Sequence, residues 1–548
     1  MGRNGSGGRL TRGHGREREE REWLSVISVL SAISALVLLA AHPAPAQAAQ
    51  DPPAPAVTPP PQFEMVERYL EAFNTGRPER LAPVIGELYA PPLLEDFGGA
   101  RAAAWDRIEL FRTYGPLEYR HVDAEAQPPI VWSIGTVTGG WVGHQFHLAS
   151  GEPARVVRHT TWRARPVPYP RRELPDAEVA DSMRAWLGRL ADEGLFSGSV
   201  TMSRHGEPVL SVSHGDDGHS PMPRPVGPGT RFHVASVTKL LTVIALLQLV
   251  EAGEVALDEP LARWIPEYPR PWRDDVTVRH LLTHTSGIEL DEDPSFLEKV
   301  RASLSADDLL AAQIEHLAGQ EPRFAPGAEY DYTSEGIDLA GVIVERAAGL
   351  PWVEVVRDRV LAPAEMEHTR FTRPEEEGSW ALGFTSLNAD LQSTTPGALR
   401  PATDVLPVVA KPSSGAWSTA EDLHRLMRAL LDHRLLGPTW TDSLLTPQRV
   451  TGELPKYGIV SWVGLGAQGE DLFGVRTVGH GGVVPGYSAA IEYLPENGWL
   501  LAVVSNTGEA TGFLVFQRFL ELTGHGGWDR EAYRSPSRAV GAASLDSP

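Results

Sequence analysis

The chain contains no cysteine, which excludes disulfides, thiolate metal sites and a cysteine nucleophile. Lysine is nearly as scarce: Lys239, Lys299, Lys411 and Lys456 are the whole set, and every other long basic residue is Arg. Basic charge as a whole runs short, with 49 Lys and Arg against 71 Asp and Glu and a formal net charge of −22. That balance argues against nucleic acid or an anionic membrane surface as a main partner. Also missing are a Gly-x-Ser-x-Gly elbow, a phosphate-binding loop, a dinucleotide fingerprint and internal repeats. What is present is ordinary apolar content, 42% of 548 residues, enough for two domains and a large core.

Long apolar runs are confined to one place. A basic lead with Arg9, Arg12, Arg16, Arg18 and Arg21 precedes the stretch Leu24 to Ala41, and Ala46-Gln47-Ala48 follows. This pattern predicts an export signal over 1–48 and a periplasmic or secreted protein; an uncleaved anchor is the alternative. With no cysteine after it, a lipoprotein anchor is excluded. Residues 49–62 read as a Pro/Ala-rich linker.

Residues 63–165 predict a small α+β domain. Met65 to Phe73 has helical spacing, whereas Ile130–Gly135 and Trp141–Leu148 read as strands. Helices first and a sheet afterwards imply a cone, similar to accessory domains of the ketosteroid-isomerase type. No positioned acid–base pair is legible in it, so its expected role is packing or substrate gating. A second linker (166–176) leads to a large domain at 177–525, followed by a polar tail at 526–548. The large domain opens with a helix over 179–195 and a hairpin around His205-Gly206-Glu207. It closes with strands 487–494 and 499–505 around Asn497-Gly498. Strands at both ends with helices between imply one antiparallel sheet and an inserted helical lobe.

Against this scarcity of lysine, Ser236-Val237-Thr238-Lys239 stands out. Arg stays charged at any working pH, whereas a buried Lys can lose its proton and act as a base. The run from Ser236 to Glu251 is apolar nearly all round and stops at Gly253, the pattern of a buried helix. Ser236 then sits at its N-terminus with Lys239 one turn on, on the same face. The backbone N–H of Ser236 would face a developing oxyanion. A chance Ser-x-x-Lys should occur in about one such chain in four, so the pair needs support from elsewhere.

Two further stretches supply it. Phe324 to Gly336 places Tyr332-Thr333-Ser334 after a Pro-Gly turn and before a helix over 337–348. Val478 to Ser488 carries His480-Gly481-Gly482-Val483, read as a strand whose glycines let a substrate backbone approach. In this order, together with Val276–Gly287, Gly415–Leu423 and Pro485-Gly486-Tyr487-Ser488, these segments resemble the class C β-lactamase and penicillin-binding serine hydrolase family. The resemblance covers residues 177–525. It implies an α+β fold of the β-lactamase/transpeptidase type, an antiparallel sheet flanked by helices, here preceded by the small cone domain. It also implies that Ser236 is acylated, that Lys239 and Tyr332 share the base role, and that the N–H groups of Ser236 and Val483 form the oxyanion hole. His480 would hydrogen-bond Tyr332 or the substrate.

Two departures bear on the substrate. The family Tyr-x-Asn is Tyr332-Thr333-Ser334 here, and the lysine of Lys-Thr-Gly is His480, which removes a fixed charge for a substrate carboxylate. The expectation is an exported serine hydrolase acting as a monomer, without cofactor or metal, on a small-molecule or peptide acyl substrate: an ester or a D-amino-acid amide. A weak β-lactamase or D,D-carboxypeptidase is the alternative, and a penicillin-binding sensor without turnover is the rival of another class. His280 and His284 have helical spacing for a metal pair, but no carboxylate falls between them as in His-Glu-x-x-His. They are expected to pack.

Overall fold

The computed structural model describes residues 61–124, 126–150, 154–162, 173–288, 294–317, 320–374, 379–385, 399–454, 459–472, 474–508 and 510–524. The expected export segment, most of both linkers and the C-terminal tail lie outside these residues.

The N-terminal unit puts helices before strands. Its helices are α1 (Pro61–Phe73), α2 (Pro78–Leu88), α3 (Pro91–Asp96) and α4 (Ala100–Tyr114). Proline near the start of α2 and α3 fits the first turn, where no N–H is needed. Strands β1 (Leu117–Asp123), β2 (Ile130–Gly135), β3 (Trp141–Leu148) and β4 (Val156–Trp162) follow as an antiparallel meander in sequence order. Val66, Tyr69, Leu70 and Phe73, at helical spacing on α1, are buried with Val142 and Phe146 of β3.

The large unit begins with α5 (Asp176–Asp192), β5 (Gly198–Arg204) and β6 (Glu207–His214). His205 and Gly206 join the two strands with φ of 48° and 87°, the positive values a two-residue hairpin turn requires. The buried helix α6 (Thr238–Glu251) starts two residues later than its apolar pattern, because Ala235–Val237 tighten into a 3₁₀ turn. The helical lobe includes α7 (Glu335–Ala348), and α8 (Ala420–Leu431) returns the chain to the sheet. Six strands complete it: β7 (Arg449–Leu454), β8 (Ile459–Val463), β9 (Gln468–Leu472), β10 (Val475–Val484), β11 (Tyr487–Leu494) and β12 (Trp499–Ser505). The eight-stranded order is β7-β8-β9-β10-β11-β12-β5-β6, antiparallel throughout. Thus β5 from the start of the large unit pairs with β12 from its end.

Alternation divides the sheet between two cores. Ala489, Ile491, Ala502 and Val504 face α6, α7 and α8. Ala490, Leu501 and Val503 face α5, the last helix α9 (Thr511–Thr523) and the N-terminal unit, all within one apolar cluster. The two units are thereby joined. Trp186 of α5 donates to the Thr138 carbonyl (2.9 Å), and a Cβ on Gly140 would strike Leu514 of α9 at 2.4 Å.

Candidate active site

Ser236 and Lys239 project from the turn that opens α6. Val234 and Ala416 pair through their backbones, and the Val234 carbonyl accepts the Val237 N–H (3.1 Å), closing the turn around Ser236. Ala235 sits at φ 49°, a cost for a residue with a Cβ; its N–H is held by His233 Nδ1 (3.2 Å). Lys239 is completely buried. Its Nζ lies 3.1 Å from Ser236 Oγ, 3.2 Å from Ser334 Oγ and 3.0 Å from the Ser413 carbonyl oxygen. The arrangement suits either protonation state of the amine. An ammonium donates to all three oxygens, whereas a neutral amine donates to Ser413 and Ser334 and leaves its lone pair facing the Ser236 hydroxyl.

Tyr332 is half-buried next to this pair, with Lys239 Nζ 5.0 Å from its ring centroid. Ser334, one residue before α7, keeps the contact with Lys239 although its side chain is shorter than the family's Asn. His480 is buried on β10 with its ring centroid 6.3 Å from that of Tyr332. Of its two expected partners, Tyr332 or the substrate, the hydrogen bond to Tyr332 is not formed among the described residues. Instead Nδ1 meets the Gly481 carbonyl at 2.6 Å. That contact requires the proton on Nδ1 and leaves Nε2 as a buried acceptor without a partner among the described residues. Burial, and then the charge of Lys239, lower the His480 pKa to about 3, so the ring is neutral.

The two glycines differ in role. A Cβ on Gly481 would meet nothing within 4 Å, whereas one on Gly482 would lie 2.3 Å from the Val234 carbonyl oxygen and 3.2 Å from the Ser236 N. Gly481 therefore has open space beside it. Gly482 does not: its missing side chain lets the turn around Ser236 press against β10. Beyond Gly479, β10 has no partner on its β9 side among the described residues, so the strand edge from His480 to Val484 borders that turn, with Val483 paired to Ser488 on the other side.

Four residues of the site escape sequence reasoning. His284 is the first. Its backbone carbonyl accepts the Asp331 N–H (2.9 Å), and its Nδ1 accepts the Thr333 N–H (3.3 Å). Its ring lies 4.5 Å from the Tyr332 ring at 34°. One residue thus grips Tyr332 from both backbone neighbours and from its face, and it does so at φ 54°. Burial first, then Lys239, lower its pKa to about 3. His280 is elsewhere engaged, in a capping box with Thr277. Ser413, Asp338 and Glu335 are the others. Asp338 Oδ1 accepts the Ser413 N–H (2.9 Å) and so fixes the carbonyl that receives Lys239. Burial raises Asp338 to about 6 and Glu335 to about 7, with Lys239 opposing both shifts.

The geometry has counterparts. A family model described as Beta-lactamase matches residues 178–521. Esterase EstB of Burkholderia gladioli is 36% identical over 216 residues, 37% of this chain and 54% of that protein. Penicillin-binding protein 4 of Amycolatopsis lactamdurans is 32% identical over 304 residues, 54% of this chain and 76% of its own. Among solved structures, a D-stereospecific amidohydrolase from Streptomyces shares 26% identity at a TM-score of 0.50, over 64% of this chain and 99% of that one. With a Ser-x-x-Lys pair held as described and the family match running over most of its length, this chain belongs to the beta-lactamase family of serine hydrolases.

Proposed function

We propose that the protein hydrolyses a carboxylic ester through an acyl-enzyme on Ser236. The observation that carries this reading is the buried, neutral His480 beside Gly481, where a cation would select a substrate carboxylate. An uncharged acyl group fits such a wall better than the carboxylate of a penicillin or of a D-alanyl terminus. Kinship with an esterase and with a D-stereospecific amidohydrolase supports an ester first and a D-amino-acid amide second.

In this reading Ser236 Oγ attacks the acyl carbon as its proton passes to Lys239 Nζ, 3.1 Å away. The oxyanion takes the N–H groups of Ser236 and Val483, and one such donor is worth about 10²–10³ in rate. The carbon–oxygen bond to the alcohol then breaks, and Tyr332 returns a proton to the leaving alkoxide. Water attacks the acyl-enzyme by the reverse proton path, releasing the acid and restoring Ser236. Ser334 and the Ser413 carbonyl hold Lys239 throughout.

A panel of p-nitrophenyl butyrate, a D-phenylalanine anilide and nitrocefin tests the reading. The ester should be turned over fastest and nitrocefin slowest. Nitrocefin leading, in a Ser236-dependent manner, would replace the esterase reading with a β-lactamase. Stable labelling by a fluorescent penicillin without ester turnover would make the protein a sensor.

The grip on Tyr332 gives a second expectation. His284→Ala should lower kcat for the ester by about 10²-fold, the scale of a 1 Å misplacement of a catalytic group, with KM little changed. His284→Asn keeps an acceptor for the Thr333 N–H and should recover part of the loss. Equal activity in both variants and the wild type would remove His284 from the site.

A further inference from the structure

Two lysines are buried among the described residues, Lys239 and Lys411, at 0% and 5% exposure. The reaction uses the first and leaves the second without a task. A buried ammonium is costly unless it is paired, and nearly all the other basic charge of the chain rests on Arg. Burial lowers the Lys411 pKa, and Asp338 and then Asp308 oppose the shift.

Lys411 opens a tight turn, Lys411-Pro412-Ser413-Ser414, set between α6, α7 and the helical lobe. The peptide plane joining Pro412 to Ser413 is fixed at both ends. Its oxygen accepts the Thr242 hydroxyl of α6 (2.6 Å), and its N–H donates to Asp338 Oδ1 of α7 (2.9 Å). The Pro412 ring fills the place of a side chain on α7, where a Cβ on Gly341 would lie 2.3 Å from it. The next plane, joining Ser413 to Ser414, is the one that holds the amine. Its oxygen receives Lys239 Nζ (3.0 Å). At its other end the Ser414 N–H donates to the Lys411 carbonyl (3.1 Å), and the Lys411 N–H donates to the Ser414 carbonyl (2.7 Å). The side chain of Lys411 anchors that end. Its Nζ donates to the Ser303 carbonyl, where the lobe helices Pro294–Ala302 and Ala306–Leu317 meet. Donor and acceptor are fixed at each step, because an N–H only donates and a carbonyl oxygen only accepts.

We propose that Lys411 is a positioning residue for the hydrolysis, acting on Lys239 through the Ser413–Ser414 peptide. Tied to Ser303, Lys411 keeps its own carbonyl against the Ser414 N–H, and the plane does not turn. The Ser413 oxygen then stays where it directs the Lys239 amine at Ser236. Without the tie, the far end of the plane is loose, and its oxygen is held by the very amine it has to orient.

The inference rests on the acyl-enzyme reading of Ser236, and the two fail differently. That reading falls if Ser236→Ala keeps a burst of product; this one falls on rates measured with the burst intact. The test takes whichever acyl substrate of the panel gives a Ser236-dependent burst, and the burst counts intact sites, so kcat is read per site. Lys411→Met keeps the stem and removes the donor. It should lower kcat per site about tenfold or more, toward the 10²-fold scale of a 1 Å misplacement, with KM changed less than about twofold. Lys411→Gln retains an N–H on a side chain one methylene shorter and carries no charge to bury, so it should fold readily and still lose about threefold. Wild-type kcat per site in either variant would make Lys411 an anchor of the fold alone and overturn the proposal. A double-mutant cycle gives the second readout. In a Lys239→Met background, Lys411→Gln should leave the slow labelling of Ser236 by a fluorophosphonate unchanged, since the amine it acts through is gone. A further fall would mark a site loosened as a whole and overturn the assignment.

Discussion

Ser236→Ala is expected to lower ester turnover by about 10⁴-fold or more, as loss of a nucleophile does in other serine hydrolases, while the protein stays folded. The Ser236 hydroxyl takes part in one hydrogen bond among the described residues, with Lys239, and the amine keeps Ser334 and Ser413 as partners when it is lost. Alanine also suits the turn, whose preceding residue is already Ala235. Stability should therefore change by about 1 kcal/mol or less. Lys239→Met behaves differently. It removes the same chemistry, but it also leaves the Ser413 carbonyl without its donor and the Ser334 hydroxyl without its contact to the amine. A loss of about 1–3 kcal/mol should accompany the lost activity. Stopped-flow release of p-nitrophenol and urea unfolding of both variants separate the two effects. Ser236→Ala retaining a tenth of the wild-type rate would end the acyl-enzyme reading.

The contrast between these variants follows the line between residues legible in short sequence patterns and residues that only the fold brings together. Ser236, Lys239 and Tyr332 could be read because each sits in a short pattern with its own element: a buried helix, or a turn ahead of one. The strands Ile130–Gly135 and Trp141–Leu148 could be read from alternation, and their bounds match the observed ones. Asp338 and Ser413 could not, because α7 and the loop before α8 meet only in three dimensions. His284 gave one unused signal. It follows the buried Leu281 and Leu282 within a polar run, Thr283-His284-Thr285-Ser286-Gly287, where a core histidine needs a partner; that partner, the Thr333 N–H, lies 49 residues away. A buried chain of contacts in the N-terminal unit, Tyr89 Oη to His159 Nδ1 at 2.6 Å and His159 Nε2 to His144 Nδ1 at 3.2 Å, was hidden for the same reason. Tyr89 follows α2 while His144 and His159 lie on β3 and β4, and no spacing along the chain links them.

The glycine pair yields the other large effect. Gly481→Ala should leave folding intact, since its new methyl would meet nothing within 4 Å; any loss of activity would then report a substrate that passes over this point. Gly482→Ala should be far more damaging. Its methyl would sit 2.3 Å from the Val234 oxygen, well inside the ordinary carbon contact of about 3.5–4.0 Å. Backbone, not a flexible side chain, must move. The oxygen in question accepts the Val237 N–H that closes the Ser236 turn, and the turn is held on its far side by Ala416. Separation of β10 from the turn by about 1 Å should cost about 10²-fold or more in kcat. Overpacking should cost about 1–3 kcal/mol in stability. Because the strand also carries Val483, the displacement shifts one oxyanion donor relative to the other. The loss should therefore fall on kcat for every ester tested, whatever its acyl chain. A Gly482→Ala protein with wild-type kcat would show that the strand and the turn are not coupled through this contact, and Val483 would lose its place in the oxyanion hole.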